Sequence, residues 1–176
     1  SVGMKILLLG SAGQLGCELK RSLEVQGDLI TLDRKSLDLT SSAAIQKAVA
    51  THHPDVIVNA AAWTAVDKAE TEQIAARAVN AIAPGVLAVE AARIGARLTH
   101  FSTDYVFDGS KSSPYAEADT TAPVSVYGLT KRDGELAILA AKGNALILRT
   151  SWVYGIHGAN FMKTMLRLGR ERDELS

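Results

Sequence analysis

The sequence predicts an α/β fold, a doubly wound parallel sheet with helices on both faces. Three observations lead to this prediction. Short apolar runs alternate with helical patterns along the chain, which is the order of a parallel α/β fold. The apolar runs are continuous, as in strands that are buried on both faces. The chain has 176 residues, enough for a single domain with a sizeable core.

The sequence pattern in the first part of the chain predicts three strands and two helices. The apolar run that begins at Lys5 is too short for a helix and ends at Gly10, so it is expected to be a strand. Leucines recur every four residues after Gln14, which indicates a helix, and Ser41 is placed to cap the next one. The expected elements are strands at 5–10, 29–32 and 55–59 and helices at 14–25 and 42–52.

The second half continues the alternation. An alanine-rich segment predicts a long helix, and Pro84 is expected to kink or break it. A stretch with Gly109, Pro114, Pro123 and many small polar residues predicts a long loop. The expected elements are helices at 69–94, at 126–141 and from 161 onward, strands at 97–102 and 145–150, and a loop at 104–124.

Composition excludes several classes of protein. Lys plus Arg and Asp plus Glu each total 19, so there is no basic excess for nucleic acid or an anionic membrane surface. No uninterrupted apolar run reaches the ~20 residues of a membrane span. Cys17 is the single cysteine and forms no internal disulfide, which is typical of a reducing compartment. We expect a cytoplasmic protein without nucleic-acid or membrane partners.

The two ends of the chain also carry expectations. Ser1, Val2 and Gly3 precede Met4 and are expected to be an appended remnant, with the domain spanning residues 4–176. The charged residues at 170–176 stop inside a helical pattern without a cap or a terminal strand. This ending predicts a chain that is truncated before a further lobe.

Three glycines join the first strand to the first helix. Gly10 permits a tight turn, Gly13 lets the backbone approach a pyrophosphate, and Gly16 lets helix and strand pack closely. With a strand before it and a helix after it, this loop predicts a Rossmann-type dinucleotide site. Asp33 ends the second strand and is placed to bind ribose hydroxyls, whereas the adjacent Arg34 is placed to bind a 2′-phosphate. The choice between NAD and NADP stays open.

A tyrosine and a lysine share one face of a predicted helix. Tyr127 and Lys131 are four residues apart, and a nearby ammonium group is expected to lower the phenol's pKa from about 10. The phenol is then able to donate a proton to a carbonyl oxygen that receives a hydride at its carbon. Ser102 and Thr103, at the end of the fourth strand, are the candidates for a hydroxyl that holds the same oxygen.

These residues lie in segments that resemble the extended short-chain dehydrogenase/reductases and, within them, the dTDP-4-dehydrorhamnose reductase family. Two segments are more specific than the glycine loop: Thr-Asp-Tyr-Val-Phe at 103–107 and Arg-Thr-Ser-Trp-Val-Tyr at 149–154. The resemblance covers nearly the whole chain. The matching segments are residues 10–16, 56–62, 64–70, 102–107, 127–131 and 149–154.

The resemblance implies roles for individual residues. Thr103, Tyr127 and Lys131 would form the catalytic triad, and Lys131 would also hold the nicotinamide ribose. The other implied cofactor residues are Gly10, Ser11, Gly13, Gln14, Leu15, Asp33, Arg34, Asp38, Leu39, Ala60, Ala61, Ala62 and Thr64. The implied substrate residues are Thr103, Asp104, Tyr105 and Trp152.

The resemblance also implies a reaction, which is the reduction of C4 of dTDP-4-dehydro-L-rhamnose by NADPH or NADH. This step serves dTDP-rhamnose synthesis for polysaccharides such as the lipopolysaccharide O antigen. Two alternatives stay open: a nucleotide-sugar epimerase or dehydratase of the same superfamily, and a non-catalytic regulatory subunit like the methionine adenosyltransferase β-subunit. The resemblance implies a C-terminal lobe that grips the dTDP group and from which the homodimer contacts and an acidic magnesium site largely come. None of these is placed on this chain, for which we predict no metal ligand.

Overall fold

A computed structural model describes residues 3–171, which contain a sheet of five parallel strands. The strand order is β2-β1-β3-β4-β5, so the predicted doubly wound parallel sheet is confirmed. The predicted remnant at Ser1 and Val2 and the charged tail at 172–176 lie outside the described residues. The strands are β1 (Lys5–Leu9), β2 (Asp28–Leu32), β3 (Val56–Asn59), β4 (Arg97–Thr103) and β5 (Ala145–Thr150).

Helices connect the strands as the sequence predicts. Ser41 caps the second helix by accepting a hydrogen bond from the Ala44 amide, and Ser125 caps the sixth in the same way from Gly128. The helices are α1 (Gln14–Leu23), α2 (Ser42–His52), α3 (Val66–Thr71), α4 (Gln73–Arg77), α5 (Ala83–Ile94), α6 (Val126–Ala140) and α7 (Phe161–Glu171). The predicted loop at 104–124 contains only a short 3₁₀ turn, Asp104–Val106, within its described residues.

The central strand β1 explains the continuous apolar run at the start of the sequence. Leu7 and Leu9 pack in one buried cluster, while Ile6 and Leu8 pack in another, because successive side chains point to opposite faces of a sheet. The first cluster includes side chains from α2, α5 and α6, and the second is covered by Leu19 and Leu23 of α1. Both faces of β1 are therefore shielded from water, as is usual for the central strands of parallel sheets.

Pro84 does not break its helix, so the break that was one of the two predicted outcomes is absent. The chain stays helical from α4 through a π-helical turn, Ala78–Ile82, into α5, where Pro84 occupies the first turn. A proline in the first turn of a new α-helical segment removes no hydrogen bond that the segment needs. The interruption instead lies at Glu72, whose φ of −112° and ψ of 46° separate α3 from α4.

This composite helix, Gln73–Ile94, is also long and apolar enough by length and composition to cross a membrane. It is not an uninterrupted apolar run, because it contains Arg77, Glu90 and Arg93. Half of its most apolar window is buried inside the fold, and Leu87 and Ala91 belong to the main core cluster. Its apolar character is that of a helix packed against a sheet.

The topology brings the functional segments to one edge of the sheet. Parallel strands end on the same side, so the residues after β1, β2, β3 and β4 meet there. The chain leaves β1 for β2 on one side and later places β3 on the other side of β1. Such a point of reversal opens a crevice in which ligands of open α/β sheets bind.

Candidate active site

The glycine loop lies beneath the residues that follow β3. Gly10 has a φ of +76°, and a Cβ at this position would lie 2.6 Å from the amide nitrogen of Ala61. A Cβ at Gly16 would lie 2.0 Å from the carbonyl oxygen of Gly10. Both positions therefore require glycine, as the sequence predicts, because helix α1 begins directly over the turn.

The first turn of α1 offers free donors to an anion. Gly13 occupies the N-cap position, and among the described residues no side chain caps this end of the helix. Gly13, Gln14 and Leu15 line a cleft at the sheet edge. Backbone N–H groups without helical partners, together with the positive end of the helix dipole, bind phosphate groups.

The cleft has a volume of about 680 Å³. Its walls contain most of the residues that the resemblance implied for a cofactor, whereas Ser11 does not line it. The predicted residues in its walls are Gly10, Gly13, Gln14, Leu15, Asp33, Arg34, Asp38, Leu39, Ala60, Ala61, Ala62, Thr64, Tyr127 and Lys131. These residues come from segments far apart in the sequence, and the sheet edge brings them together.

Asp33 is held by the turn that follows β2. Its Oδ1 atom accepts hydrogen bonds from the amides of Lys35 and Ser36, both at 3.0 Å, and from the Ser36 hydroxyl at 2.9 Å. These bonds, with those from Ser36 the strongest, lower the pKa of Asp33 and keep it ionised. The described residues donate no hydrogen bond to its second oxygen, Oδ2, which leaves an acceptor for a ribose hydroxyl.

Tyr127 lines the cleft, and Thr103 lies beside Tyr127. Tyr127 lies in the first turn of α6 and Thr103 ends β4, and the nearby Thr103 side chain acts to lower the tyrosine pKa. The Thr103 hydroxyl donates its proton to Asp104 Oδ1 at 3.2 Å and accepts from the Tyr105 amide at 3.2 Å. Of the two hydroxyl candidates, Thr103 therefore contacts the phenol. Ser102 Oγ lines the cleft wall and has no partner among the described residues.

Lys131 is buried in the same wall, with a relative exposure of 1%. Its Nζ donates to the carbonyl oxygen of Phe101 at 2.6 Å. Burial lowers its pKa from 10.5 to about 8, and the negative charge of Glu135 opposes that change. Near neutral pH the side chain is therefore mostly charged.

The expected lowering of the tyrosine pKa by Lys131 is not what the structure shows. Burial raises the pKa of Tyr127, and the nearby Thr103 side chain offsets that rise only in part. The charges of Asp104 and Tyr105 raise it further. The physical reason is that loss of water around the phenol disfavours the phenolate more strongly than its neighbours stabilise it.

The implied substrate residues lie outside the cleft walls. Tyr105 packs edge-to-face on Tyr127 with ring centroids 5.5 Å apart, so the structure places it beside the phenol. Trp152 is 72% exposed and packs against Phe161 at 5.1 Å. Its neighbour Val153 lines the cleft instead.

Two buried asparagines that hold the residues of the cleft were not predicted from the sequence. Asn80, in the π-helical turn, accepts from the Trp63 amide at 2.9 Å and donates to the Trp63 carbonyl at 3.0 Å. Its amide also donates to Thr130 at 3.2 Å, so it joins the cleft loop to α6. Asn59, at the end of β3, accepts from the Ala61 amide at 3.2 Å. Polar amides inside an apolar helix and an apolar strand were the available signal.

His100 is a buried histidine of β4 with one paired and one unpaired ring nitrogen. Its Nδ1 lies 3.1 Å from the Asn59 amide nitrogen, across the β3–β4 pairing. Its buried Nε2 has no partner among the described residues. Burial and the nearby charge of Lys131 hold the pKa of His100 well below its usual value, so the ring is neutral.

The fold and the site together define a Rossmann-type domain with the Tyr-x-x-x-Lys arrangement of the short-chain dehydrogenase/reductases. A family model described as the RmlD substrate binding domain matches residues 4–176. This chain belongs to that family.

Named relatives support this assignment. The chain is 51% identical over 172 residues to dTDP-4-dehydrorhamnose reductase of Burkholderia thailandensis, covering 98% of this chain and 58% of the relative. It is 48% identical to the Escherichia coli enzyme of the same name, covering 98% of this chain and 59% of the relative. The chain therefore spans less than two thirds of these relatives.

Solved structures show the same fold. A dTDP-4-dehydrorhamnose reductase ortholog from Clostridium acetobutylicum is 44% identical, with a TM-score of 0.94 over 98% of this chain and 61% of the other. The dTDP-4-dehydrorhamnose reductase of Bacillus anthracis, solved in complex with NADP, is 40% identical with a TM-score of 0.92, over 97% of this chain and 61% of the other.

Proposed function

We propose that this chain is the nicotinamide-dinucleotide-binding part of a dTDP-4-dehydrorhamnose reductase, an oxidoreductase that reduces the C4 carbonyl of dTDP-4-dehydro-L-rhamnose. The observation that carries the proposal is that Tyr127 and Lys131 line one 680 Å³ cleft and that Thr103 lies beside Tyr127. The uncapped N-terminus of α1 lines the same cleft. A dinucleotide needs both an anion site and a reactive end.

The residues present fit such a cofactor. The first-turn amides of α1 would hold the diphosphate, and Asp33 would accept from the adenosine ribose. Arg34 lines the same cleft and would pair with a 2′-phosphate. Both NADPH and NADH are therefore proposed as cofactors, and the NADP complex of the Bacillus anthracis relative supports the former.

The chemistry divides between cofactor and chain. A bound reduced nicotinamide supplies a hydride. Tyr127 donates a proton to the C4 oxygen, and the Thr103 hydroxyl orients that oxygen. Lys131 holds the nicotinamide ribose with its ammonium group. A phenol that stays protonated at neutral pH, as burial of Tyr127 ensures, is in the correct state to act as the acid.

The proposed domain is residues 4–176, which the family model matches. The relatives are longer, so contacts to the dTDP group and to a second subunit are assigned to the rest of the full-length protein. The magnesium site that the resemblance implies is assigned to the same part. The carbohydrate product would enter polysaccharide synthesis in the cytoplasm.

Two measurements test this function. The chain is titrated with NADPH and with NADH, and micromolar binding of at least one is expected. The full-length protein is then assayed for oxidation of NADPH by the nucleotide sugar. The Tyr127→Phe variant is expected to lose at least 100-fold in turnover with cofactor affinity nearly unchanged.

Each alternative has its own outcome. Stoichiometric oxidation of added NADPH supports the reductase, whereas turnover that consumes no added cofactor supports an epimerase or dehydratase. Cofactor binding without turnover, together with co-purification of a larger catalytic partner in fixed ratio, supports a regulatory subunit. Unchanged turnover in Tyr127→Phe contradicts the catalytic assignment.

A further inference from the structure

A buried carboxylate lies one helical turn from Lys131. Glu135 is on α6 with a relative exposure of 4%. Arg149 of β5 donates to both of its oxygens, from Nε to Oε1 at 3.0 Å and from Nη2 to Oε2 at 2.7 Å. This bidentate pairing fixes the orientation of the carboxylate and provides a hydrogen bond to each of its oxygens at a buried site.

Arg149 is itself held in place on its other sides. Its guanidinium group lies 5.0 Å from the centroid of the Phe107 ring, and Nη1 donates to the Glu117 carbonyl at 3.3 Å. The hydrogen bonds to Glu135 raise the pKa of Arg149, so its charge is permanent. The carboxylate therefore cannot turn toward another cation without giving up two charge-assisted hydrogen bonds.

Lys131 and Glu135 lie on the same face of α6, because residues four apart are neighbours on a helix. Both Glu135 oxygens bind Arg149, while the lysine Nζ binds the Phe101 carbonyl. The carboxylate thus acts on the ammonium group through space and not through a hydrogen bond. Lys131 keeps its ammonium on the cleft wall instead of losing it to an ion pair.

Among the described residues, three charged or titratable groups near Lys131 or its neighbour Glu135 carry no negative charge. His100 of β4 is neutral, Arg149 of β5 is positive, and Tyr127 of α6 is protonated. Glu135 is the group whose charge opposes the effect of burial on the lysine pKa.

We propose that Glu135 is a positioning residue of the dinucleotide site: its carboxylate, clamped by Arg149, keeps the buried Lys131 in its charged form at the cleft wall. This inference rests on the proposed function, in which that charge holds the nicotinamide ribose. The arrangement separates two tasks. Arg149 satisfies the hydrogen bonds of the carboxylate, and the field of the carboxylate favours the ammonium.

The direct test follows the titration of Lys131 in the chain without cofactor, by NMR of the lysine side chains. The wild-type pKa is expected at about 8, and Glu135→Gln is expected to lower it to about 7, since a nearby opposite charge favours the charged form. Asp133→Asn is the matched control on the same helix, because Asp133 pairs with Arg77 and Arg132 instead. The proposal is overturned if the pKa of Lys131 in Glu135→Gln equals the wild-type value.

Cofactor binding gives a second readout. With a pKa of about 7, roughly a quarter of Lys131 is charged at pH 7.5, against roughly three quarters with a pKa of about 8. Glu135→Gln is therefore expected to bind NADPH about threefold more weakly than wild type at pH 7.5 and equally well at pH 6. Equal weakening at both values indicates only structural damage and overturns the proposal.

A charge-retaining variant covers the case in which Glu135→Gln fails to fold. Glu135→Asp keeps the negative charge but moves it farther from the lysine, because the side chain is one methylene shorter. The Lys131 pKa is then expected to lie between the wild-type value and about 7. A pKa equal to or above the wild-type value counts against the proposal. If wild-type chain binds neither NADPH nor NADH, the proposed function fails, while the lysine titration still decides the role of Glu135.

Discussion

Replacement of Lys131 by methionine is expected to stabilise the fold while removing a functional group. Burial lowers the lysine pKa from 10.5 to about 8, a difference equivalent to about 3 kcal/mol of destabilisation when the group is charged. Methionine fills a similar volume without a charge but loses the hydrogen bond to the Phe101 carbonyl, which contributes about 1 kcal/mol. The free energy of unfolding of Lys131→Met is therefore expected to exceed that of wild type by about 2 kcal/mol at pH 7.

The pH dependence identifies the cause. Between about pH 8 and 10.5 the unfolded wild-type chain binds more protons than the folded chain, so wild-type stability rises with pH. Lys131→Met lacks that rise. The difference by which its stability exceeds that of wild type is therefore expected to shrink over the same pH range.

Urea unfolding at pH 7 and at pH 10, followed by circular dichroism, measures both effects. The control is Lys47→Met, because Lys47 is exposed on α2 and its replacement is expected to change stability by less than about 0.5 kcal/mol. The reasoning is refuted if Lys131→Met is less stable than wild type at pH 7, or if its advantage does not depend on pH. NADPH binding is expected to fall at least tenfold in the same variant, since the ribose loses a charged donor.

Three further substitutions test other parts of the site. Gly16→Ala places a Cβ 2.0 Å from the Gly10 carbonyl oxygen and is expected to destabilise the fold by about 2–3 kcal/mol in urea unfolding; wild-type stability would contradict the close approach. Asn80→Ala leaves the Trp63 amide and carbonyl without their partner and is expected to cost about 2–3 kcal/mol by the same measurement. Arg34→Ala is expected to weaken NADPH binding about tenfold by calorimetry and to leave NADH binding unchanged; an equal loss for both would remove Arg34 from 2′-phosphate recognition.

Local patterns predicted the elements well because each depends on nearby residues. The β1 run and the α6 face follow from side-chain spacing alone, and Tyr127 and Lys131 meet because they lie on one helix. Pro84 shows the limit of such rules. The π-helical turn before it packs so closely on α6 that a Cβ at Gly134 would lie 2.2 Å from the Asn80 carbonyl oxygen. The sequence around Pro84 contains no information about that neighbour.

The ionisation of the site was also beyond local reasoning. A lysine four residues from a tyrosine suggested a lowered phenol pKa, but the structure raises that pKa by burial. Whether a charge or the loss of water dominates depends on how deeply each group lies, and depth is set by every element packed around it. The ion pair of Arg149 with Glu135 likewise depends on the packing of β5 against α6, which local sequence patterns do not describe.

By itself, the sequence determined the order of strands and helices, the glycines of the turn after β1 and the reactive pair on α6, because periodicity and steric demands act over a few residues. The tertiary structure alone decided which side chains share the cleft, which hydroxyl contacts Tyr127, and how far Lys131 is removed from water. Those properties depend on strand register and helix packing, which join residues distant in the chain.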